Sequence, residues 1–311
     1  MNSIIKKPIF LVGCMRSGTT ILADLLGSHP NIIHCPFELR SVWSKAGNVP
    51  MASPKTHDLK CPCLKENDVQ PGQAERLSRA FITEMKKNRG SKNVKHACLL
   101  NKNPHLANKL PLVNVLFPDS RFIWIYRDLP SVTSSLKKIL NRKVIHYWPE
   151  QEDLETVRCW ECFFNINSIP PQVDRKRCFP GGDIKYLMEY WFETNKAISD
   201  FSQTISSDRI FLIKEEQLIA EPENVLADCQ SFLGIPINLP KMMINKIDRN
   251  RNELWSNSLP KVEIQSMLNF VQEQGDSLNK IFPEGKLFER YNAMILSKLF
   301  SERAEEIKTN S

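Results

Sequence analysis

Short, wholly apolar runs alternate along most of this chain with longer stretches of helical periodicity. The first run, Pro8 to Val12, has no polar position and stops at Gly13, which fits a strand buried on both faces of a parallel sheet. From Ser17 to Ser28 the apolar residues Ile21, Leu22, Leu25 and Leu26 recur at helical spacing, so strand, glycine turn and helix open the fold. The same alternation predicts a helix from about Gln73 to Lys87, a buried strand in HACLLNK (96–102) and a helix over Leu106 to Leu116. A β-rich run, RFIWIY (121–126), precedes a helix from Asp128 to Leu140 with Asp128 and Ser131 near its start. A long helix from about Asp183 to Ser206 leads into a fourth strand, RIFLIK (209–214). A helix in EPENVLADCQSFLGIP (221–236) is stopped by Gly234 and Pro236, and two amphipathic helices follow.

Two stretches break the pattern. Residues 41–68 carry Gly47, Pro50, Pro54 and Pro62 with few periodic apolar positions, and read as a long excursion. Residues 141–182 are irregular and rich in aromatics, prolines and cysteines. A chain of 311 residues accommodates one continuous α/β core with these two insertions. The expected architecture is therefore a single domain, 1–311: a P-loop-like, three-layer α/β fold with a central, mostly parallel sheet flanked by helices.

Composition narrows the partners. A hydrophobic fraction of 41% and a charged fraction of 25% are those of an ordinary soluble protein. The net charge of +7 comes from scattered clusters such as Lys86, Lys87, Arg89 and Arg175, Lys176, Arg177. No nucleic-acid-binding module accompanies them, so they read as solvated surface, and a small polyanionic ligand suits the balance better. Nine cysteines, with Cys61 and Cys63 too close for an ordinary bridge, point to reduced thiols and a cytoplasmic setting. Cys35, His57, Cys61 and Cys63 share a segment, but their spacing matches no standard zinc site, and no metal is expected. The opening MNSIIKKPIFLVG lacks the features of a signal peptide, and no later run is long and apolar enough to span a bilayer.

Candidate chemistry begins at LVGCMRSGTTILADLLGSHP (11–30). A tight glycine turn entering a helix leaves backbone N–H groups aimed at one spot, where the helix dipole also favours an anion. Gly18, Thr19 and Thr20 supply such donors and two hydroxyls, and Arg16 adds a permanently charged fork. A nucleoside-triphosphate loop would place lysine after Gly18, where Thr19 stands, and no strand ends in a convincing magnesium-binding aspartate.

The segment GCMRSGTTILADLLGSHP resembles the 5′-phosphosulfate loop of sulfotransferases that use 3′-phosphoadenosine 5′-phosphosulfate (PAPS). RFIWIYRDLPSVTSSL is similar to their 3′-phosphate motif, with Arg127 at a strand end and Ser135 in the next helix. NKNPHLANKLPLVNVLFPDSRF resembles the Lys-x-Pro segment of the branch that includes the protein-tyrosine enzymes, and LIKEEQLIAEPENVLADCQSFLGIP the strand and helix before the late nucleotide loop. The likeness covers 8–40 and 96–140 well and 209–260 loosely.

By this resemblance, Arg16, Ser17, Gly18, Thr19 and Thr20 hold the phosphosulfate, and Arg16 and Lys102 stabilise the leaving group. Arg127 and Ser135 bind the 3′-phosphate, with Arg249, Arg251 and Ser256 completing the nucleotide site. Glu38, in HCPFELR, is the candidate base, with His105 and His34 as rivals. No metal is implied. The implied reaction is sulfuryl transfer from PAPS to a hydroxyl or amine of an acceptor, expected to be a small metabolite, with a glycan or lipid precursor second. The rivals are a non-catalytic binder of the same fold and a P-loop kinase. Tyr147, Trp148, Trp160, Phe163 and Phe164 are open to two readings, an acceptor pocket or core packing. Nothing in the sequence specifies an oligomeric state.

Overall fold

The computed structural model describes residues 5–51, 63–140, 145–147, 161–163, 183–248, 255–282 and 286–309. Five short apolar runs form its sheet: β1 (Ile9–Val12), β2 (Ile32–Cys35), β3 (Cys98–Lys102), β4 (Arg121–Tyr126) and, late in the chain, Ile210–Lys214. All neighbours pair parallel, in the order β2-β3-β1-β4 and then the late strand. The chain leaves β1 toward one edge and returns past it to the other, so the order reverses at β1 and its connections diverge at the carboxyl end.

Strand periodicity splits the core into two layers. Phe10, Val12, Phe122, Trp124 and Tyr126 face one side, where the aromatic residues meet Trp43, Phe81, Phe117 and Trp191. Ile9, Leu11, Ile123 and Ile125 face the other, against the aliphatic stripe Leu22, Leu25 and Leu26 of α1 (Thr19–Gly27). Helices therefore cover both faces, which is why the strands carry no polar alternation.

The remaining helices are α2 (Arg40–Lys45), α3 (Gln73–Asn88), α4 (Leu110–Leu116), α5 (Leu129–Leu140), α6 (Ile184–Ser202), α7 (Glu215–Ala220), α8 (Pro222–Leu233), α9 (Lys241–Ile244), α10 (Lys261–Gln274), α11 (Asp276–Ile281) and α12 (Leu287–Thr309). Between α5 and α6, β5 (Ile145–Tyr147) and β6 (Glu161–Phe163) pair antiparallel, and the late parallel strand is β7.

The structure departs from the sequence pattern at several points, among them the β5–β6 pair inside the stretch expected to be irregular and three closing helices, α10 to α12, where two were expected. The run 32–35 forms β2, an edge strand too short to stand out by periodicity. The excursion expected from residue 41 opens as α2, because Trp43 buries completely and donates to Asn101 Oδ1 at 2.9 Å. Leu106 lies in a 3-10 turn, Pro104–Lys109, so the helix expected from Leu106 starts only at Leu110. His57, Cys61, Trp148, Trp160, Phe164, Arg175, Lys176 and Arg177 lie outside the described residues. Cys14, Cys35, Cys63, Cys98 and Cys229 are free thiols. Among the described residues no helix is long and apolar enough to cross a membrane, and no group of side chains is arranged to hold a metal ion.

Candidate active site

The carboxyl ends of β1, β3, β4 and β7 meet around the turn from β1 to α1. Gly13 lies at φ 152°, and a Cβ there would stand 2.3 Å from the Ile125 carbonyl oxygen, so only glycine lets β1 pass β4 this closely. Gly18, at φ 82°, turns the chain into α1, whose N-terminus has no side-chain cap. Arg16 is held at φ 70°, a conformation that neighbouring contacts must enforce. Those contacts are visible: the Met15 N–H donates to Tyr190 Oη at 3.1 Å, Arg127 Nη1 donates to the Arg16 carbonyl at 3.1 Å, and Arg16 Nε donates to Ser135 Oγ at 3.0 Å.

The result is a small cavity of about 80 Å³ lined by Arg16, Gly18, Thr19, Thr20, Arg127 and Glu215 among others. Ser17 and Thr19 are buried beside it, and Ser17 Oγ has no hydrogen-bond partner among the described residues. Uncapped helix N–H groups, two hydroxyls and a cation on one spot suit a phosphate or sulfate group. Cys14, in the same loop, is buried, and burial pushes its thiol far above the ordinary range, so it packs rather than reacts.

Arg127 follows β4 and Glu215 follows β7. They pair at 3.2 Å with each side chain only 4% exposed, while Trp191 Nε1 donates to the Arg127 carbonyl at 2.9 Å. Strand register makes this partnership: Tyr126 pairs with Lys214, so the next residues of both strands stand side by side. Ser135 lies two turns into α5. The segment after the undescribed residues returns to the same helix, because Ser258 and Ser134 share a hydroxyl hydrogen bond at 2.5 Å. This brings half-buried Ser256 near α5; Arg249 and Arg251 lie outside the described residues, and Trp255 is buried in the core.

A second cluster forms one strand away. Leu11 pairs with Lys102, and the Asn103 N–H donates to the Leu11 carbonyl at 2.9 Å, which fixes the end of β3 beside the β1 turn. Phe37, Glu38 and Leu39 are left-handed in succession, with φ of 59°, 54° and 53°. Asn101 and Asn103 hold this strained corner by donating to the Glu38 carbonyl at 3.2 and 3.0 Å. The Glu38 carboxylate then bonds Lys102 Nζ and lies 3.8 Å from Arg40 Nε. Beside it Phe37 is 86% exposed, which is unusual for so large an apolar side chain.

His105 closes the network. Arg40 Nη2 donates to its Nε2 at 2.5 Å, which uses the imidazole lone pair. Burial, then Arg40, Lys109 and Lys102, hold its pKa well below the ordinary histidine value, so it stays neutral and its accepting nitrogen is occupied. His34, on β2, is turned toward α1 with Nδ1 3.6 Å from Asp24. Of the three candidate bases, Glu38 is the one whose side chain is seen bonded to Lys102.

The sequence reading missed Glu215, Tyr190 and the two asparagines. Glu215 ends a strand in the same way as Arg127, a positional signal that was legible in LIKEEQ; Tyr190 lies inside a helix and gave none.

A family model described as the sulfotransferase family matches residues 8–179. Over 238 residues the chain is 26% identical to protein-tyrosine sulfotransferase 2 of Gallus gallus, covering 73% of this chain and 51% of the relative. It is 25% identical over 294 residues to the protein-tyrosine sulfotransferase of Drosophila melanogaster, covering 86% of this chain and 48% of that one. The chain thus spans about half the length of these curated relatives. A crystal structure of a sulfotransferase from Alicyclobacillus acidocaldarius superposes with a TM-score of 0.50 at 13% identity, covering 96% of both chains, and shares the fold. The family match runs from β1 through the anion loop, the Glu38–Lys102 cluster and Arg127, over more than half of the 311 residues, and the chain belongs to the sulfotransferase family.

Proposed function

We propose that this chain transfers the sulfuryl group of PAPS to an acceptor hydroxyl, or to an amine. The observation that carries the reading is the Glu38 carboxylate on Lys102, one strand from an anion loop that Arg16 closes onto Ser135. A protein that only bound nucleotide would need the loop but no carboxylate beside it.

In this reading the donor lies across the carboxyl ends of the strands. Its 5′-phosphosulfate meets the N–H groups of Gly18, Thr19 and Thr20 with the hydroxyls of Ser17 and Thr19. Its 3′-phosphate meets Arg127 and Ser135, with Ser256, Arg249 and Arg251 closing the far side. The acceptor oxygen attacks sulfur in line, and its proton passes to Glu38. The bond from sulfur to the bridging phosphate oxygen breaks, and Arg16 and Lys102 meet the charge that builds there. The products are the sulfated acceptor and adenosine 3′,5′-bisphosphate. His105 acts through Arg40 as a positioning residue rather than as base.

A small metabolite is the acceptor expected from the sequence. The likeness to proteins named protein-tyrosine sulfotransferases favours a second reading, the phenolic hydroxyl of a peptide tyrosine. A reducing, cytoplasmic setting is part of the proposal and rests on the cysteine pattern of the sequence alone.

Magnesium-free calorimetric titration with adenosine 3′,5′-bisphosphate, beside Arg127→Ala, tests the donor site. Binding that the variant loses supports the proposal; binding of ATP with magnesium instead replaces it with a kinase. Radiolabelled sulfuryl transfer from PAPS to a panel of small alcohols, phenols, amines and a tyrosine peptide then identifies the acceptor class, and no transfer to any of them favours the non-catalytic binder.

A further inference from the structure

At the opposite end of the sheet, the residues leading into β1 and β3 and the last turns of α3 enclose a cavity of about 930 Å³. It opens at the amino ends of strands whose carboxyl ends carry the anion loop. A strand of this length separates the two by on the order of 15 Å.

The floor of the cavity is aliphatic, with Ile5 and Met85 buried and Ile82 and Val94 partly so. Its rim is cationic: Lys6, Lys7, Lys86, Arg89 and Lys95 line it, all exposed, and no carboxylate does. Among the described residues none of these five side chains is in an ion pair. Neighbouring Lys87, by contrast, pairs with Glu84 at 2.7 Å and does not line the cavity. The negative end of α3 favours Lys86 where it stands, but it does not explain five cations converging on one apolar hollow.

These features select a ligand. The Asp119 carboxylate accepts from the Lys7 N–H at 2.9 Å at one edge, but five cations around a low-dielectric concavity outweigh it, focus a positive potential and attract an anion. The volume falls in the range of small-molecule sites, which run to roughly 300–1,000 Å³. No Phe, Tyr or Trp lines the cavity, so no side chain of those types is there to stack on a base or a sugar ring. The aliphatic floor is matched instead by a hydrocarbon chain.

We propose that this cavity binds a single-chain anionic amphiphile, an alkyl carboxylate, sulfate or phosphate, with its tail on Ile5, Met85 and Val94 and its head at the lysine rim. The site is independent of the donor loop and of the transfer reaction.

Calorimetric titration of the full chain with decanoate, neutral decyl maltoside and inorganic sulfate tests it. Decanoate is expected to bind saturably and more tightly than either of the others. Lys86→Glu/Lys95→Glu weakens it about tenfold while leaving adenosine 3′,5′-bisphosphate binding unchanged. A control pair on another face, Lys241→Glu/Lys246→Glu, binds decanoate like the parent. Equal binding of sulfate removes the tail from the proposal, and equal binding of the maltoside removes the charge; either overturns it. So does an equal loss in the control, which would make the effect one of net charge. Sedimentation with phosphatidylglycerol vesicles in the absence of decanoate binding would assign the patch to a lipid surface and overturn the pocket.

Discussion

Replacing Glu215 by glutamine removes the carboxylate that pairs at 3.2 Å with the Arg127 guanidinium, whose side chain is only 4% exposed. Breaking one half of a buried ion pair costs about 3–5 kcal/mol, because the remaining charge is stranded in a medium that solvates it poorly. Arg127 keeps its bond to the Arg16 carbonyl, so the lower end of that range, ~3 kcal/mol, is expected. For a chain of this size that corresponds to a melting temperature lower by roughly 6 °C.

The same reasoning predicts a rescue. If Arg127 faces the 3′-phosphate, a bound nucleotide supplies the missing negative charge, and Glu215 no longer competes for the guanidinium. At one fixed concentration, a hundredfold above the parent's dissociation constant, adenosine 3′,5′-bisphosphate should return ~2.7 kcal/mol to the parent and more to Glu215→Gln, which it should bind more tightly. The apolar double variant Arg127→Met/Glu215→Leu should be more stable than the single, since neither half of the pair is left as a charge, yet should not bind the nucleotide. Urea denaturation of the three proteins with and without nucleotide checks this. A Glu215→Gln variant as stable as the parent, or a nucleotide effect identical in both, refutes the claim that a buried pair holds Arg127 for a phosphate.

Glu38→Gln is expected to lower kcat by about 10²–10⁴ with nucleotide affinity unchanged, measured by transfer assay and calorimetry together. Phe37→Ala should raise KM for the acceptor with little change in kcat or stability, because the 86% exposed ring contributes nothing to the core; an unchanged KM removes Phe37 from the acceptor surface. His105 is held below its unfolded pKa, so the unfolded chain binds more protons, and stability should fall as pH drops below about 6.5. The urea midpoint of His105→Gln should be flatter between pH 7.5 and 5 than that of the parent, with the slope that remains combining His34, which is shifted the same way, and Glu216, whose raised pKa acts in the opposite direction.

Much of this fold was written locally. RFIWIY became β4 with the boundaries its apolar run predicts, because a strand buried on both faces needs nothing but apolar residues and polar ends. The turn from β1 into α1 was equally legible, since it depends on Gly13 and Gly18. β2 was not, because four residues at a sheet edge carry too little periodicity, and α2 was hidden by the prolines and glycines that follow it.

The sequence by itself determined four of the five strands of the parallel sheet, where the glycine turn into α1 lies, and that Arg127 follows one strand and Lys102 ends another. Only the tertiary structure decided what each of them touches. Glu38 meets Lys102 across 64 positions of chain, Arg40 meets His105 across 65, and Glu215 reaches Arg127 because two strands pair in one register. Such contacts depend on strand order and on three left-handed residues at the end of β2, and those follow from packing two helical layers onto one sheet, to which the whole chain contributes.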